Sequence, residues 1–278
     1  TIQTKGWELA VDFRHTFKNG LHFGVTASLA DDRTEVTKWT NNTAIPTYGA
    51  TGWWDTQYYK EGMVLGDIWG LQFDRFLTEN DFNADGTLKA NIPDQTSVFP
   101  AGYKFAPGDV LYKNLDGDNK ITKGTQTTEP GDLTVIGNAL PRLQFGLNLD
   151  AAWKGFDVNL FFQGVGNRKL WAAGNQVLPG FTTGEPFYKG AEDYWTPENP
   201  DAFYPRPMDY QQGQTGNYNV NDRYLLNMAY LRLKTLTVGY SLPKTWLSKF
   251  KVQGLRVYFT GENLFTIDGV KPAIDPEI

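Results

Sequence analysis

The run YKNLDGDNKIT at residues 112–122 sets short oxygen-bearing side chains two apart, in a stretch whose Gly and Asn suit a turning backbone. Hard cations take several oxygen ligands, and Asp or Asn at alternate loop positions can converge on one ion. Against the calcium-loop pattern, Asn114, Asp116 and Asp118 fall at positions one, three and five. Lys120 falls at seven, where only a backbone carbonyl is needed, and Thr122 at nine. Asn119 takes the place of the usual glycine and tolerates the left-handed backbone. Thr125 stands where a bidentate Glu is expected, so closure falls to Glu129 or Asp132. The candidate metal set is Asn114, Asp116, Asp118, Lys120, Thr122 and Asp132, for a structural Ca2+ or Mg2+. The competing reading is a metal-free chain of Asx turns. Neither requires a cofactor for chemistry, and without flanking helices calcium has nothing to open.

Aromatic side chains are the second candidate group. Trp53, Trp54, Tyr58, Tyr59, Trp69, Tyr194, Trp195, Phe203 and Tyr204 lie in stretches without strand patterning. Their faces can stack on sugars or pack on a partner protein. Alternatively, they pack the long segments against one another. Trp53, Trp54, Tyr58, Tyr59, Tyr194 and Trp195 are the expected substrate or partner contacts.

Enzyme chemistry is not expected. The two histidines, His15 and His22, flank one turn, and Cys is absent. No G-x-S-x-G, Walker A or G-x-G-x-x-G occurs, and Gly164-Val165-Gly166 lacks the third glycine. The 31 acids show no spacing that singles out the carboxylate pair of a glycosidase. Net charge is −5 with scattered Lys and Arg, which argues against nucleic acid as a partner.

The elements that must position these residues show period-two alternation. Trp7, Leu9, Val11 and Phe13 alternate with Glu8, Ala10, Asp12 and Arg14, and Leu21, Phe23, Val25, Ala27 and Leu29 continue beyond the Asn19-Gly20 turn. Leu143, Phe145, Leu147 and Leu149 pair in pattern with Phe156, Val158, Leu160 and Phe162 across a turn near Trp153-Lys154-Gly155. A third pair spans 228–241 and 254–264, with a helical turn at Lys244–Phe250 between them. In 228–241 the apolar phase slips between Leu233 and Leu236, which predicts a bulge. All 15 prolines fall outside the six windows 6–15, 20–30, 142–151, 156–164, 228–241 and 254–264. Central strands need every N–H, so this is expected.

Connections are unequal: three are short, and two, roughly 38–141 and 165–227, are very long. No apolar run approaches the ~20 residues of a membrane helix. A mean hydropathy of −0.45 is nonetheless compatible with a β-barrel, whose strands are only half apolar and whose outer loops are long. Trp7, Trp39, Trp153 and Tyr240 near strand ends suit its aromatic girdles. A soluble β-sandwich alternates in the same way, so periodicity leaves both open. Six strands cannot close a barrel that needs at least about eight, so a barrel reading makes the chain part of one. The opening TIQTKGWELAVDF lacks a signal peptide's basic and apolar regions, which suits a cytoplasmic protein or an internal piece of a longer chain.

Six segments in order carry a resemblance that favours the barrel. LDGDNKIT (115–122), TVIGNALPRLQFGLNL (134–149), KGFDVNLFFQG (154–164), YWTPENPDAFYPR (194–206), YLRLKTLTVGYSLP (230–243) and LRVYFTGENLF (255–265) together resemble the C-terminal part of the SusC/RagA family of TonB-dependent outer-membrane transporters. Residues 5–39 resemble a hairpin upstream of them. The resemblance implies an all-β fold: an antiparallel transmembrane barrel of about 22 strands, of which residues 1–278 hold about six, with extracellular loops at about 38–141 and 165–227. It further implies a plug and a TonB-contacting segment, neither matched here, and a SusD-like surface lipoprotein over the extracellular mouth. Import of oligosaccharides or peptides across the outer membrane is the implied function, with lipid against the barrel wall. The chain stops at IDPEI (274–278), before the family's last strand, so a fragment is expected. The runner-up is a soluble or secreted β-sandwich that binds glycans through loop aromatics.

Overall fold

The structure, a computed structural model, describes residues 1–39, 61–126, 129–172, 174, 176–181, 188–208, 216–271 and 274–278. Two long strands open the chain, β1 (Ile2–Thr16) and β2 (His22–Val36). The excursion after them holds β3 (Asp67–Gly70), β4 (Phe73–Phe76), β5 (Val110–Tyr112), β6 (Lys123–Gln126), β7 (Glu129–Gly131) and β8 (Thr134–Asn138). A second long hairpin follows, β9 (Arg142–Trp153) and β10 (Phe156–Asn167), then the short β11 (Lys169–Leu170) and β12 (Leu226–Asn227). The last pair is β13 (Tyr230–Ser241) and β14 (Arg256–Asp268), joined through the helical turn α1 (Lys244–Leu247).

The six long strands form one antiparallel sheet in the order β1-β2-β9-β10-β13-β14. All six alternating windows are present. Trp153 faces Phe156 directly, so the β9–β10 turn has two residues, Lys154 and Gly155, at φ 49° and 90°. Positive φ at both positions matches the twist of the flanking strands, which is why a glycine stands there. The predicted bulge is also present: Leu233 pairs with Phe265 and Thr235 with Glu262, leaving Lys234 outside the ladder. It returns Leu236 to the face Leu233 occupies, so the slip in the sequence is corrected in space.

Residues opposite one another in neighbouring strands share a face, and the register builds unbroken rows. One runs Val11, Ala27, Leu147, Phe162, Leu233 and Phe265; another runs Phe13, Val25, Leu149, Leu160 and Leu236. The opposite face carries Asp12, Thr26, Asn148, Phe161, Thr235 and Glu262, polar at every strand but β10. Val11 is 51% exposed and Phe259 63%. A sandwich would need a second sheet over the apolar face, but the other sheets among the described residues have two strands each.

The buried core lies instead in the long connections, which are not structureless. Leu71, Phe76, Val98, Val110, Tyr112 and Ile121 cluster in the first, joined by a satellite of Leu77, Ile92 and Leu111. Trp171, Leu178, Tyr204, Tyr224 and Met228 cluster in and around the second. Burying each such side chain stabilises by about 1.5–3 kcal/mol, enough to order loops that have no covering sheet.

Candidate functional site

The polar face of the sheet offers paired groups. Asp12 accepts a hydrogen bond from Thr26 at 2.7 Å and lies 3.2 Å from Arg14. Asn159 donates to Asn148 at 2.9 Å, Arg256 Nε donates to Asp157 at 3.0 Å, and the Thr237 and Thr260 hydroxyls lie 3.1 Å apart. Such a surface can be wetted and can offer amides, hydroxyls and paired charges. At one end of the same face the Thr16 hydroxyl lies 3.1 Å from His22 Nδ1, and His22 Nε2 lies 3.4 Å from Asp150.

The two long connections are joined to each other into one body. Asp109 is fully buried, and its carboxylate accepts from Arg206 Nε at 2.7 Å, the Tyr103 hydroxyl at 2.9 Å, Ala106 N–H at 2.9 Å and the Asn217 amide at 3.1 Å. Asn217 in turn accepts from Val110 N–H at 2.8 Å, and Asn219 donates to the Val98 carbonyl at 2.9 Å. The Tyr112 hydroxyl donates to the Gly216 carbonyl at 2.7 Å, and burial raises its pKa far above the ordinary tyrosine value. Arg223 lies over the Phe73 ring at 4.3 Å and donates to the Phe203 carbonyl at 2.9 Å. These joining residues escaped the sequence reading. Their one local trace is Asn at alternate positions in NYNVND (217–222).

The acidic run is a ladder of turns. Asn114 accepts from Gly117 N–H at 2.8 Å, Asp116 from Asp118 N–H at 3.2 Å and Asp118 from Lys120 N–H at 2.7 Å. Asn119 adopts φ 62°, as its type allows, and its carbonyl accepts from Asp94 N–H at 3.0 Å. Asp132 is fully buried and takes Leu115 N–H at 2.6 Å on one oxygen and Thr122 N–H at 2.7 Å on the other. It therefore closes the loop, through backbone N–H groups. Among the described residues, no three His, Cys, Asp or Glu side chains are grouped to hold a metal ion.

The aromatic candidates divide. Trp53, Trp54, Tyr58 and Tyr59 lie outside the described residues. Trp195 packs against the first core over Gly108, where a Cβ would come within 2.4 Å of its ring. Trp69 packs in that cluster too, and Phe203 in the second. Tyr194 instead borders a cavity of about 450 Å3 with Tyr188, Tyr204, Pro205, Pro207 and Tyr218. Burial and nearby Asp193 push the Tyr204 hydroxyl up to about 12, so it stays a neutral donor at physiological pH. Near the strand ends, Trp7, Trp39 and Trp153 are about half exposed, whereas the Tyr240 ring lies 4.4 Å from that of Phe156, tilted by 39°.

No family model matches the chain. By sequence it is 26% identical over 281 residues to the TonB-dependent receptor P3 of Formosa agariphila, across 99% of this chain and 25% of that protein. To the TonB-dependent receptor P26 of the same organism it is 32% identical over 174 residues, 61% of this chain and 16% of that protein. The chain is thus similar in sequence to two proteins named TonB-dependent receptors. Its fold agrees with that of a solved structure of the RagAB peptide transporter at TM-score 0.67 and 18% identity, over 99% of this chain and 26% of that one. The RagAB importer in a "closed-closed" state matches at 0.66. The resemblance carried by the six sequence segments is thus borne out. The chain spans about a quarter of the length of P3 and of the RagAB chain.

Proposed function

We propose that these residues form wall, lumen lining and outward loops of a TonB-dependent importer in the outer membrane. In this reading the substrate is an oligosaccharide or peptide too large for a porin, a SusD-like lipoprotein docks on the outward loops, and TonB engages segments other than these. The solved relatives in fold are described as a peptide transporter, which supports import without choosing this chain's substrate.

The observation that carries the reading is the apolar face running unbroken across six antiparallel strands with no layer over it among the described residues. In water such a face would draw aggregation; against lipid tails it is solvated. Strand length fits as well. The 15 residues of β2 reach about 50 Å at ~3.3 Å each, and at barrel tilt that exceeds a hydrocarbon core of about 30 Å. The polar face then lines the lumen, and the joined connections stand at the mouth.

The test places one charge on each face of the full-length protein. Val11→Arg sets a cation against lipid and costs about 2–4 kcal/mol at mid-depth, so the assembled, heat-modifiable fraction in outer membranes falls sharply. Asn148→Arg on the other face assembles normally. Equal assembly of both variants, or recovery of the native protein in a detergent-free soluble fraction, refutes the reading.

A further inference from the structure

The outward body carries a second cavity, about 730 Å3, which shares only Tyr103 with the joining contacts, through its hydroxyl. Its lining is two-natured. Leu88, Ile92, Tyr103 and Phe105 supply an apolar floor, and Ile92, Leu88 and Phe105 belong to the small core beneath it. Tyr103 and Phe105 are only half-buried, with rings 5.1 Å apart at 73°, so one offers a face where the other offers an edge. Asp94, Thr96, Lys104 and Asn119 stand around the floor. Lys104 is exposed and makes no ion pair among the described residues.

The walls are built before any ligand arrives. Asn83 N–H bonds the Thr87 carbonyl at 2.8 Å, Lys89 N–H the Asp81 carbonyl at 2.9 Å and Ile92 N–H the Lys89 carbonyl at 3.0 Å. Asp94 N–H bonds Asn119 at 3.0 Å, and Ile121 N–H returns to the Asp94 carbonyl at 2.7 Å. The main-chain N–H groups of Lys89, Ile92 and Asp94 at the cavity are therefore committed to the fold. An extended peptide held by strand addition needs a free row of backbone donors and acceptors, and along 89–94 these bonds interrupt such a row. What stays available is aromatic surface below and side-chain donors and acceptors at the rim. That combination suits a ligand that is apolar on its ring faces and hydroxylated around its edge. The volume lies within the range of small-molecule sites, about 300–1,000 Å3.

We propose that this cavity is an oligosaccharide subsite on the outward body, with Tyr103 and Phe105 beneath sugar rings and Lys104, Asp94 and Asn119 reaching their hydroxyls. The inference rests on the importer reading and names its substrate class. Sugar is held at the mouth, apart from the lumen wall, before it is passed inward.

The experiment uses the full-length protein purified from outer membranes in detergent, probed with an array of neutral and acidic oligosaccharides and, in parallel, a library of short peptides. Two variants alter exposed positions and spare the core: Lys104→Ala removes a donor, and Ala90→Trp fills the cavity. At least one oligosaccharide binds the native protein. Lys104→Ala weakens it about tenfold, the scale of a hydrogen bond to a charged group, and Ala90→Trp abolishes it. Binding of peptides alone, no binding at all, or saccharide binding unchanged in both variants overturns the subsite. Outer-membrane assembly is scored on the same preparations. Assembled protein whose saccharide binding ignores both substitutions loses the subsite only, whereas failure of the native protein to assemble removes the importer reading itself.

Discussion

Replacing Arg206 with Leu tests whether the two long connections act as one body. Five hydrogen bonds converge on the fully buried Asp109 carboxylate, and Arg206 supplies two of them, from Nε at 2.7 Å and Nη2 at 3.3 Å. The others come from neutral groups: the Tyr103 hydroxyl, the Ala106 N–H and the Asn217 amide. Arg206→Leu thus strands a buried charge. Breaking a buried ion pair costs about 3–5 kcal/mol. Arg206 keeps 26% of its side chain in water, and three neutral donors remain, so a discounted loss of about 2–3 kcal/mol is expected. At 1.4 kcal/mol per tenfold, local opening rises about 30- to 150-fold.

Hydrogen exchange on the full-length protein in detergent reads this directly, because the loops open far more cheaply than the sheet unfolds. Exchange accelerates at 103–112 and 216–221, which share the Asp109 contacts, while β9 and β10 keep their protection. Adding Asp109→Asn removes the stranded charge, so the double variant recovers part of the loss, and the cycle isolates the pair. Exchange that changes less than about threefold in both segments, or that rises evenly through the strands, refutes a shared body.

Acid should loosen one corner of it first. Burial pushes the Asp81 carboxyl up, but Arg75 at 2.6 and 2.8 Å and the Thr78 N–H outweigh that and hold its pKa below the usual carboxylate range. A depressed folded value gives stability that is complete above the unfolded value, about 4, and is lost as pH falls through the folded one. Proteolysis at 73–89 is therefore flat from about pH 8 to 5 and accelerates below about 4; Asp81→Asn is already fast at neutral pH and insensitive to acid. Asp132→Ala leaves the Leu115 and Thr122 N–H groups without their acceptor, costs about 1–3 kcal/mol, and speeds exchange across 113–122. EDTA leaves that exchange unchanged in the native protein; loosening by EDTA that calcium reverses would show Asp116 and Asp118 leaving their turns for a cation.

The sheet was legible because each strand carries its own evidence. Val11 against Asp12, or Leu147 against Asn148, states which face each residue takes without reference to any distant residue. Even the bulge at Lys234 could be read, since a slipped apolar phase is a local signal. The acidic run was legible as a turn but ambiguous in chemistry: carboxylates two apart serve a cation or successive backbone N–H groups equally well, and only the buried Asp132 shows what the fold does with them.

The body formed by the two joined connections was illegible for the converse reason. Asp109 meets Arg206 across 97 residues and Val110 meets Asn217 across 107, and no periodicity announces a contact at such separation. Trp195 illustrates the cost. By type it reads as a ligand contact, yet a glycine 87 positions earlier opens the space that makes it a packing residue, while its neighbour Tyr194 is left at a cavity. A barrel wall can repeat one simple pattern because its two solvents, lipid and water, sort side chains strand by strand. In the importer reading, recognition at the mouth needs surfaces assembled from distant segments, so the part that would distinguish one substrate from another is the part local sequence reveals least.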